Sequence, residues 1–157
     1  MRSAIGRRPG DLKGQFTLPL DEAFVSADEL FERGEDAEMA GDLAGAERWY
    51  GLAMKIDRTD PVIPFNLGNV LDAAGRRGEA IYAYEQAIAR DATFAEAWLN
   101  LGAVREGMNR IAEAIGCYRQ ALQARPDYPE ALHNLAALLT RRATSVRRCR
   151  FGNATWP

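Results

Sequence analysis

Apolar residues recur between residues 27 and 142 at intervals of three and four, the spacing of one face of an α-helix. Trp98, Leu101 and Val104 mark one such face, and Ile111, Ile115 and Tyr118 mark the next. A glycine or asparagine separates the two helices of each pair, at positions 41, 75 and 109, and these residue types favour the left-handed backbone that ends a helix. The pattern predicts pairs of amphipathic helices joined by short turns, and therefore an all-α fold.

The helix pairs repeat with a period of 34 residues. Six columns share this register: Ala46/Ala80/Ala114, Tyr50/Tyr84/Tyr118, Ala53/Ala87/Ala121, Gly34/Gly68/Gly102, Leu67/Leu101/Leu135 and Asn66/Asn100/Asn134. They define repeats over 27–60, 61–94 and 95–128 and a partial repeat over 129–142. We predict a flexible segment over 1–24, a repeat domain over 25–142 and a basic, disordered tail over 143–157. The small residues let helices approach closely, so these columns are interpreted as packing residues, apart from the asparagines.

Composition narrows the class of protein. The 157 residues are 47% hydrophobic and 27% charged, which excludes a disordered chain or a collagen-like fibre. No apolar stretch approaches the roughly 18 residues of a membrane span, and the basic start has no apolar core of a secretory signal. Two cysteines 32 positions apart make neither a disulfide framework nor a zinc site. We expect a cytoplasmic protein. Eighteen arginines against two lysines suggest a GC-rich bacterial genome.

Charge is unevenly distributed along the chain. Residues 27–130 hold 19 acidic and 11 basic residues, whereas residues 131–157 hold five arginines and no acidic residue. The formal net charge of −2 hides this separation. A basic tail can contact phosphates, but the body is acidic, so we expect no nucleic-acid partner and no membrane partner. The tail could also rest on the acidic body of its own chain.

The residues of the third repeat resemble the tetratricopeptide repeat family. The resemblance rests on Trp98-x-x-Leu101-Gly102, on Ala114-x-x-x-Tyr118-x-x-Ala121 and on the period of 34. It implies a right-handed superhelix of about three and a half helix-turn-helix repeats that acts as a protein-binding module. Arg33 and Arg105 depart from the family pattern, because they stand where apolar residues are usual.

The resemblance further implies a concave groove, lined by the first helix of each repeat, that holds a peptide. The candidate groove residues are Glu32, Glu35, Phe65, Asn66, Asn69, Asp72, Glu96, Asn100, Glu106 and Asn134. The asparagine column could pair with the backbone of an extended peptide, since a carboxamide donates and accepts. Alternatively, these asparagines form only local hydrogen bonds. Both interpretations stay open at this point.

The wider surface implied for the groove carries one arginine, Arg141, and eight carboxylates: Asp28, Glu32, Glu35, Glu38, Asp72, Glu96, Glu106 and Glu130. Relatives that bind chaperones use lysine and arginine here to hold a terminal carboxylate. The corresponding residues in this chain are Phe31, Glu35, Glu96 and Asn100, so the resemblance implies that this clamp is absent. Like charges in a groove focus a negative potential, and we therefore expect an extended, neutral-to-basic peptide as ligand. The alternative for the first repeat is a merely solvated acidic helix.

Two other classes of function compete with a peptide-binding adaptor. One is a regulatory or substrate-docking fragment of a larger multidomain enzyme or regulator, and the other is a self-assembling scaffold. No catalytic constellation supports an enzyme: the single histidine, His133, has no convincing serine partner, Cys117 is interpreted as a packing residue, and no cofactor or metal is implied.

The fourth repeat lacks a recognisable second helix, so Leu132, Leu135, Leu138 and Leu139 threaten to form an exposed apolar edge. The tail could fold over this edge, a second chain could cover it in a homodimer, or the chain could be truncated or altered relative to a longer array.

Overall fold

A computed structural model describes residues 25–151, with side chains up to residue 144. Within that range the chain forms helices and no strands. The helices are α1 (Ala27–Met39), α2 (Leu43–Ile56), α3 (Val62–Ala73), α4 (Arg77–Arg90), α5 (Ala95–Gly107), α6 (Ile111–Ala124) and α7 (Pro129–Phe151). The all-α prediction is confirmed, and the helices fall into pairs at the predicted repeats.

Side chains at the helix starts satisfy backbone N–H groups that have no partner inside the helix. Ser26 forms a capping box with Glu29: the Ser26 hydroxyl accepts from the Glu29 N–H at 3.2 Å, and the Glu29 carboxylate accepts from the Ser26 N–H at 3.1 Å. Asp42 caps α2 through the Gly45 N–H at 2.9 Å. The turns between paired helices lie at the left-handed residues Gly41, Gly75 and Asn109, as the sequence predicts.

Each repeat is held together by a tyrosine ring that lies directly on a glycine. Tyr50, Tyr84 and Tyr118 are fully buried and contact Gly34, Gly68 and Gly102, respectively. The alanines of the two alanine columns are 0% exposed, so the second helix of each repeat is as closely packed as the sequence predicts. Because the glycine has no Cβ atom to hold the ring away, the tyrosine hydroxyl reaches side chains of the first helix, namely Glu38, Asn69 and Glu106.

Packing continues from one repeat to the next in chain order. Leu30, Ala53 and Ile63 form a buried cluster that joins α1, α2 and α3. Another cluster joins α3, α4, α5 and α6, and includes Tyr84, Leu101 and Cys117. Each helix contacts chiefly the helices that precede and follow it in the sequence. This arrangement is a helical repeat solenoid.

The end of the described chain differs from the sequence prediction. Residues 143–151, which we predicted to begin a disordered tail, continue α7 to Phe151. No glycine or proline occurs between Pro129 and Gly152, and alanine and arginine are strong helix formers. A helix already nucleated by packing needs no apolar pattern to extend. The predicted flexible segment over 1–24 and residues 152–157 lie outside the described residues.

Candidate functional site

The first helices of the repeats, α1, α3, α5 and α7, carry all the predicted groove residues. The centre of this surface is a hollow of about 260 Å³ between α3 and α5. Its lining consists of Asn69, Asp72, Ala73, Tyr84, Asn100 and Ala103. The structure therefore brings three of the predicted site residues together at one place: Asn69, Asp72 and Asn100.

A hydrogen-bonded network fixes the side chains of this hollow. The Asn69 Oδ1 atom accepts from the Tyr84 hydroxyl at 2.9 Å and from the Asn100 Nδ2 at 2.9 Å. Desolvation raises the pKa of Tyr84, with a further contribution from the Asp72 carboxylate, while the Asn100 amide opposes the rise. The hollow is thus lined by polar side chains, and the Asn69–Asn100 hydrogen bond links one repeat to the next.

Tyrosine hydroxyls reach the predicted groove in the other repeats as well. Tyr50 donates to Glu38 Oε2 at 3.1 Å, and Tyr118 donates to Glu106 Oε2 at 3.0 Å. Burial raises the pKa of both tyrosines, and the hydrogen-bonded carboxylate raises it further. This role of the tyrosine column was not predicted from the sequence. The signal was present: an acidic residue precedes each tyrosine by 12 positions, at Glu38, Asp72 and Glu106.

The structure bears on the two interpretations of the asparagine column. The Asn100 amide donates to Asn69 Oδ1 at 2.9 Å. The Asn100 amide also lowers the pKa of Tyr84, and the Asn134 amide lowers that of Tyr118, so both asparagines interact with the tyrosine of the preceding repeat. The local interpretation accounts for these two residues, and a peptide would have to displace existing hydrogen bonds to use them. Asn66 is half-buried on α3.

The predicted groove carboxylates separate into a paired set and an open set. Glu96 forms an ion pair with Arg125, and Glu106 forms one with Arg141 at 3.0 Å, so the carboxylates of α5 already have cationic partners. Glu32 and Glu35 on α1 are exposed, and neither has an ion-pair partner among residues 25–144. Asp72, half-buried in the hollow, has no ion-pair partner in this range either, so the open negative charge lies over α1 and α3 and not over α5.

Phe65, a predicted groove residue, packs against other aromatic rings. Its half-buried ring lies 4.9 Å from the ring centroid of Phe94 and 6.0 Å from that of Tyr84, in tilted arrangements that aromatic pairs favour. It joins α3 to the turn before α5. Phe65 thus supports the wall beside the Asn69 hollow.

Arg33 and Arg105, which stand where apolar residues are usual in the family, each contact neighbouring side chains. Arg33 lies over the Trp49 ring, with 5.3 Å between the guanidinium carbon and the ring centroid. Arg105 pairs with Glu85 at 2.7 Å and lies 3.7 Å from Glu113, and its Nη1 donates to the Cys117 Sγ at 3.2 Å. Burial raises the pKa of the Cys117 thiol, which is the opposite of what a reactive cysteine needs.

No helix in the described part of the chain, residues 25–151, has the length and apolar character needed to cross a membrane. No group of three or more histidine, cysteine or acidic side chains that could hold a metal ion occurs between residues 25 and 144.

The fold and the tyrosine–glycine packing define the class of protein, a helical repeat protein whose first helices form a common surface. Residues 65–129 match the family model of the tetratricopeptide repeat. This match, together with the fold, supports a tetratricopeptide repeat protein. No curated protein sequence matches it at a significant level.

Solved structures of tetratricopeptide repeat domains share this fold. The first such domain of Spaghetti (RPAP3), bound to the HSP90 peptide SRMEEVD, has 24% identity and a TM-score of 0.71, with 75% of this chain and 94% of that chain covered. The Sgt2 domain from Aspergillus fumigatus has 22% identity and a TM-score of 0.71, covering 77% and 82%. The second domain of human RPAP3, in complex with the HSP70 peptide SGPTIEEVD, has 21% identity and a TM-score of 0.68, covering 71% and 93%.

Proposed function

We propose that this protein is a protein–protein interaction module that binds an extended, neutral-to-basic peptide segment across α1, α3 and α5. The observation that carries the proposal is the pair of exposed carboxylates on α1, Glu32 and Glu35, which have no ion-pair partner among residues 25–144, together with the polar hollow at Asn69 in the next repeat. The fold supports the general role, because solved domains of the same fold hold peptides.

The groove carboxylates that have no ion-pair partner among residues 25–144 predict how the peptide is oriented. Positively charged side chains of the peptide are expected over α1, where Glu32 and Glu35 are open to solvent. Its middle part is expected over the hollow between α3 and α5, which Asn69, Asp72 and Asn100 line. Positive charge gains less over α5, because Arg125 and Arg141 already neutralise Glu96 and Glu106.

Peptides of the kind held by the RPAP3 domains are poor candidates for this surface. SRMEEVD and SGPTIEEVD both carry clustered acidic residues near their ends. The positions that would supply a cationic clamp hold Phe31, Glu35, Glu96 and Asn100 in this chain. Like charges brought together at a surface repel, so binding of such a peptide would be unfavourable.

A fluorescence-anisotropy titration tests the proposal with two otherwise identical extended peptides, one carrying lysines and the other carrying glutamates at the same positions, together with SRMEEVD. We expect the lysine peptide to bind and the two acidic peptides not to bind. Added salt should weaken binding, because exposed charges are screened. Equal or tighter binding of the acidic peptides would refute the proposed ligand class.

Variants locate the binding surface. Replacing Glu32→Gln together with Glu35→Gln should weaken binding of the lysine peptide about fivefold, from two exposed ion pairs of about 0.5 kcal/mol each. Asp36→Asn is the matched control: it removes one carboxylate from the same helix, but at the repeat position of Val70 and Val104, which pack against the preceding helix. An effect of Asp36→Asn as large as that of the double variant would show that overall charge, not the groove, attracts the peptide.

A further inference from the structure

The acidic residues that precede the tyrosines by 12 positions form a column of their own: Glu38, Asp72 and Glu106. In two of the three repeats this carboxylate accepts the tyrosine hydroxyl of the same repeat. Glu38 accepts from Tyr50 at 3.1 Å. Glu106 accepts from Tyr118 at 3.0 Å. Asp72, in the middle repeat, is the exception.

Asp72 keeps its full acceptor capacity in the hollow between α3 and α5. The Tyr84 hydroxyl donates to Asn69 and not to Asp72, whose side chain is one methylene shorter than that of a glutamate. Asp72 also forms no ion pair with any side chain between residues 25 and 144. Its half-buried carboxylate therefore lines a hollow of about 260 Å³ without a charged partner.

The next repeat shows which chemistry fills the corresponding place. One period of 34 residues further on, Asp72 corresponds to Glu106, and there the Arg141 Nη1 atom of α7 donates to the Glu106 Oε1 atom at 3.0 Å. The residue of α5 at the repeat position of Arg141 is Gly107. Because glycine has no side chain, the chain supplies a cation to Glu106 but not to Asp72.

The rest of the hollow adds acceptors and no positive charge. None of the described residues that line it is basic. Arg77 lies close by, but its Nη1 atom donates to the Gly107 carbonyl at 3.3 Å and it forms no ion pair with Asp72. Asn100 donates through Nδ2 to Asn69, so its Oδ1 atom remains as a further acceptor.

The hollow suits a basic side chain better than a metal ion. Asp72 is the single carboxylate among the described residues of its lining, whereas a divalent metal ion takes about six oxygen ligands. An ammonium or guanidinium group needs acceptors at one end only. Its aliphatic stem can lie along Ala73 and Ala103, which are exposed and line the same hollow.

We propose that the hollow between α3 and α5 is a subsite for one basic side chain of the bound peptide, whose cationic group pairs with Asp72 as Arg141 pairs with Glu106. This inference rests on the proposed function and extends it, because it assigns a lysine or arginine to the middle of the peptide. That residue is separate from the basic residues expected over α1.

A double-mutant cycle between the protein and the lysine peptide tests this inference. Each lysine of the peptide is replaced in turn by norleucine, which keeps the aliphatic chain and removes the ammonium group. Fluorescence anisotropy gives the affinities for the wild-type chain and for Asp72→Asn. We expect one lysine in the middle of the peptide whose replacement weakens binding to the wild type about fivefold, but changes binding to Asp72→Asn by less than about twofold.

Asp36→Asn is the matched control, because it removes the same type of carboxylate at an exposed position of α1, away from the hollow. The norleucine series on Asp36→Asn should reproduce the wild-type pattern, and circular dichroism checks that both variants keep the helical fold. Equal losses along the series on Asp72→Asn and on the wild type overturn this inference and leave the proposed function standing, as does equal coupling to Asp36. A lysine peptide that does not bind the wild-type chain refutes both.

Discussion

Replacing Gly68 with alanine tests whether the tyrosine–glycine contact sets the close approach of paired helices. A Cβ atom on Gly68 would lie 2.6 Å from the Tyr84 Cε1 atom and 2.7 Å from its Cδ1 atom, well inside contact distance. The Tyr84 ring is 1% exposed and its hydroxyl is bonded to Asn69, so it cannot move aside without breaking other contacts. The substitution therefore forces the two helices apart or displaces the ring.

The magnitude follows from two opposing effects. Alanine in place of glycine inside a helix gains about 1 kcal/mol through helix propensity. Overpacking a filled contact costs about 1–3 kcal/mol. Because the Tyr84 ring is buried and its hydroxyl is hydrogen-bonded, the cost should lie in the upper part of that range, about 2–3 kcal/mol. We therefore expect a net loss of about 1–2 kcal/mol in the free energy of unfolding, measured by urea denaturation followed by circular dichroism.

Gly116→Ala is the matched control for this prediction. Gly116 also lies inside a helix, α6, but a Cβ atom there meets no heavy atom within 4 Å. The same substitution at Gly116 should raise the free energy of unfolding by about 0.5–1 kcal/mol. Opposite signs at the two glycines support the reasoning. A Gly68→Ala protein as stable as the Gly116→Ala protein would refute it.

Two further predictions concern pH and Arg105. Burial raises the pKa of Tyr50, Tyr84 and Tyr118 above the ordinary value of 10.0, so these hydroxyls lose their protons at a higher pH in the folded chain than in the unfolded chain. Their contribution to the free energy of unfolding should therefore be fully present below pH 10 and should fall as the pH rises further. Denaturation melts across alkaline pH check this, and Tyr50→Phe should flatten the fall. Arg105→Ala should lower the free energy of unfolding by about 2–3 kcal/mol, because it removes the partner of Glu85 and leaves a gap beside Cys117. Arg105→Leu places the residue type of the equivalent Leu71 at this position, and it should lower the free energy of unfolding by less than about 1 kcal/mol in the same chemical denaturation. Equal losses of stability in the two variants would contradict the packing account.

The repeat could be predicted from the sequence because its signal is local and periodic. Each column at a spacing of 34 residues repeats the same physical requirement, such as the glycine under a tyrosine ring, so three independent occurrences support one another. The turns at Gly41, Gly75 and Asn109 were predictable for the same reason, since only a few residue types favour a positive φ.

The partners of polar side chains in the site were not predictable to the same extent. The positions of Glu96 and Glu106 on α5 follow from the period, but their ion pairs with Arg125 and Arg141 involve residues that occur once in the chain. The sequence likewise left open whether Asn100 and Asn134 bind a ligand or their own chain, because that depends on where Tyr84 and Tyr118 place their hydroxyls. The continuation of α7 past residue 142 depends on propensity, and a search for apolar periodicity does not detect it.

Because each helix packs chiefly on its neighbours in the sequence, most tertiary contacts close only short loops. Loop closure then costs little entropy, and folding should be fast for a chain of this size. Opening can begin at either end without disrupting the middle repeats, so amide protons of α1 and α7 should exchange with solvent sooner than those of α4 and α5. A peptide bound across α1, α3 and α5 would join repeats that otherwise open separately, and it would slow exchange most strongly at the α1 end.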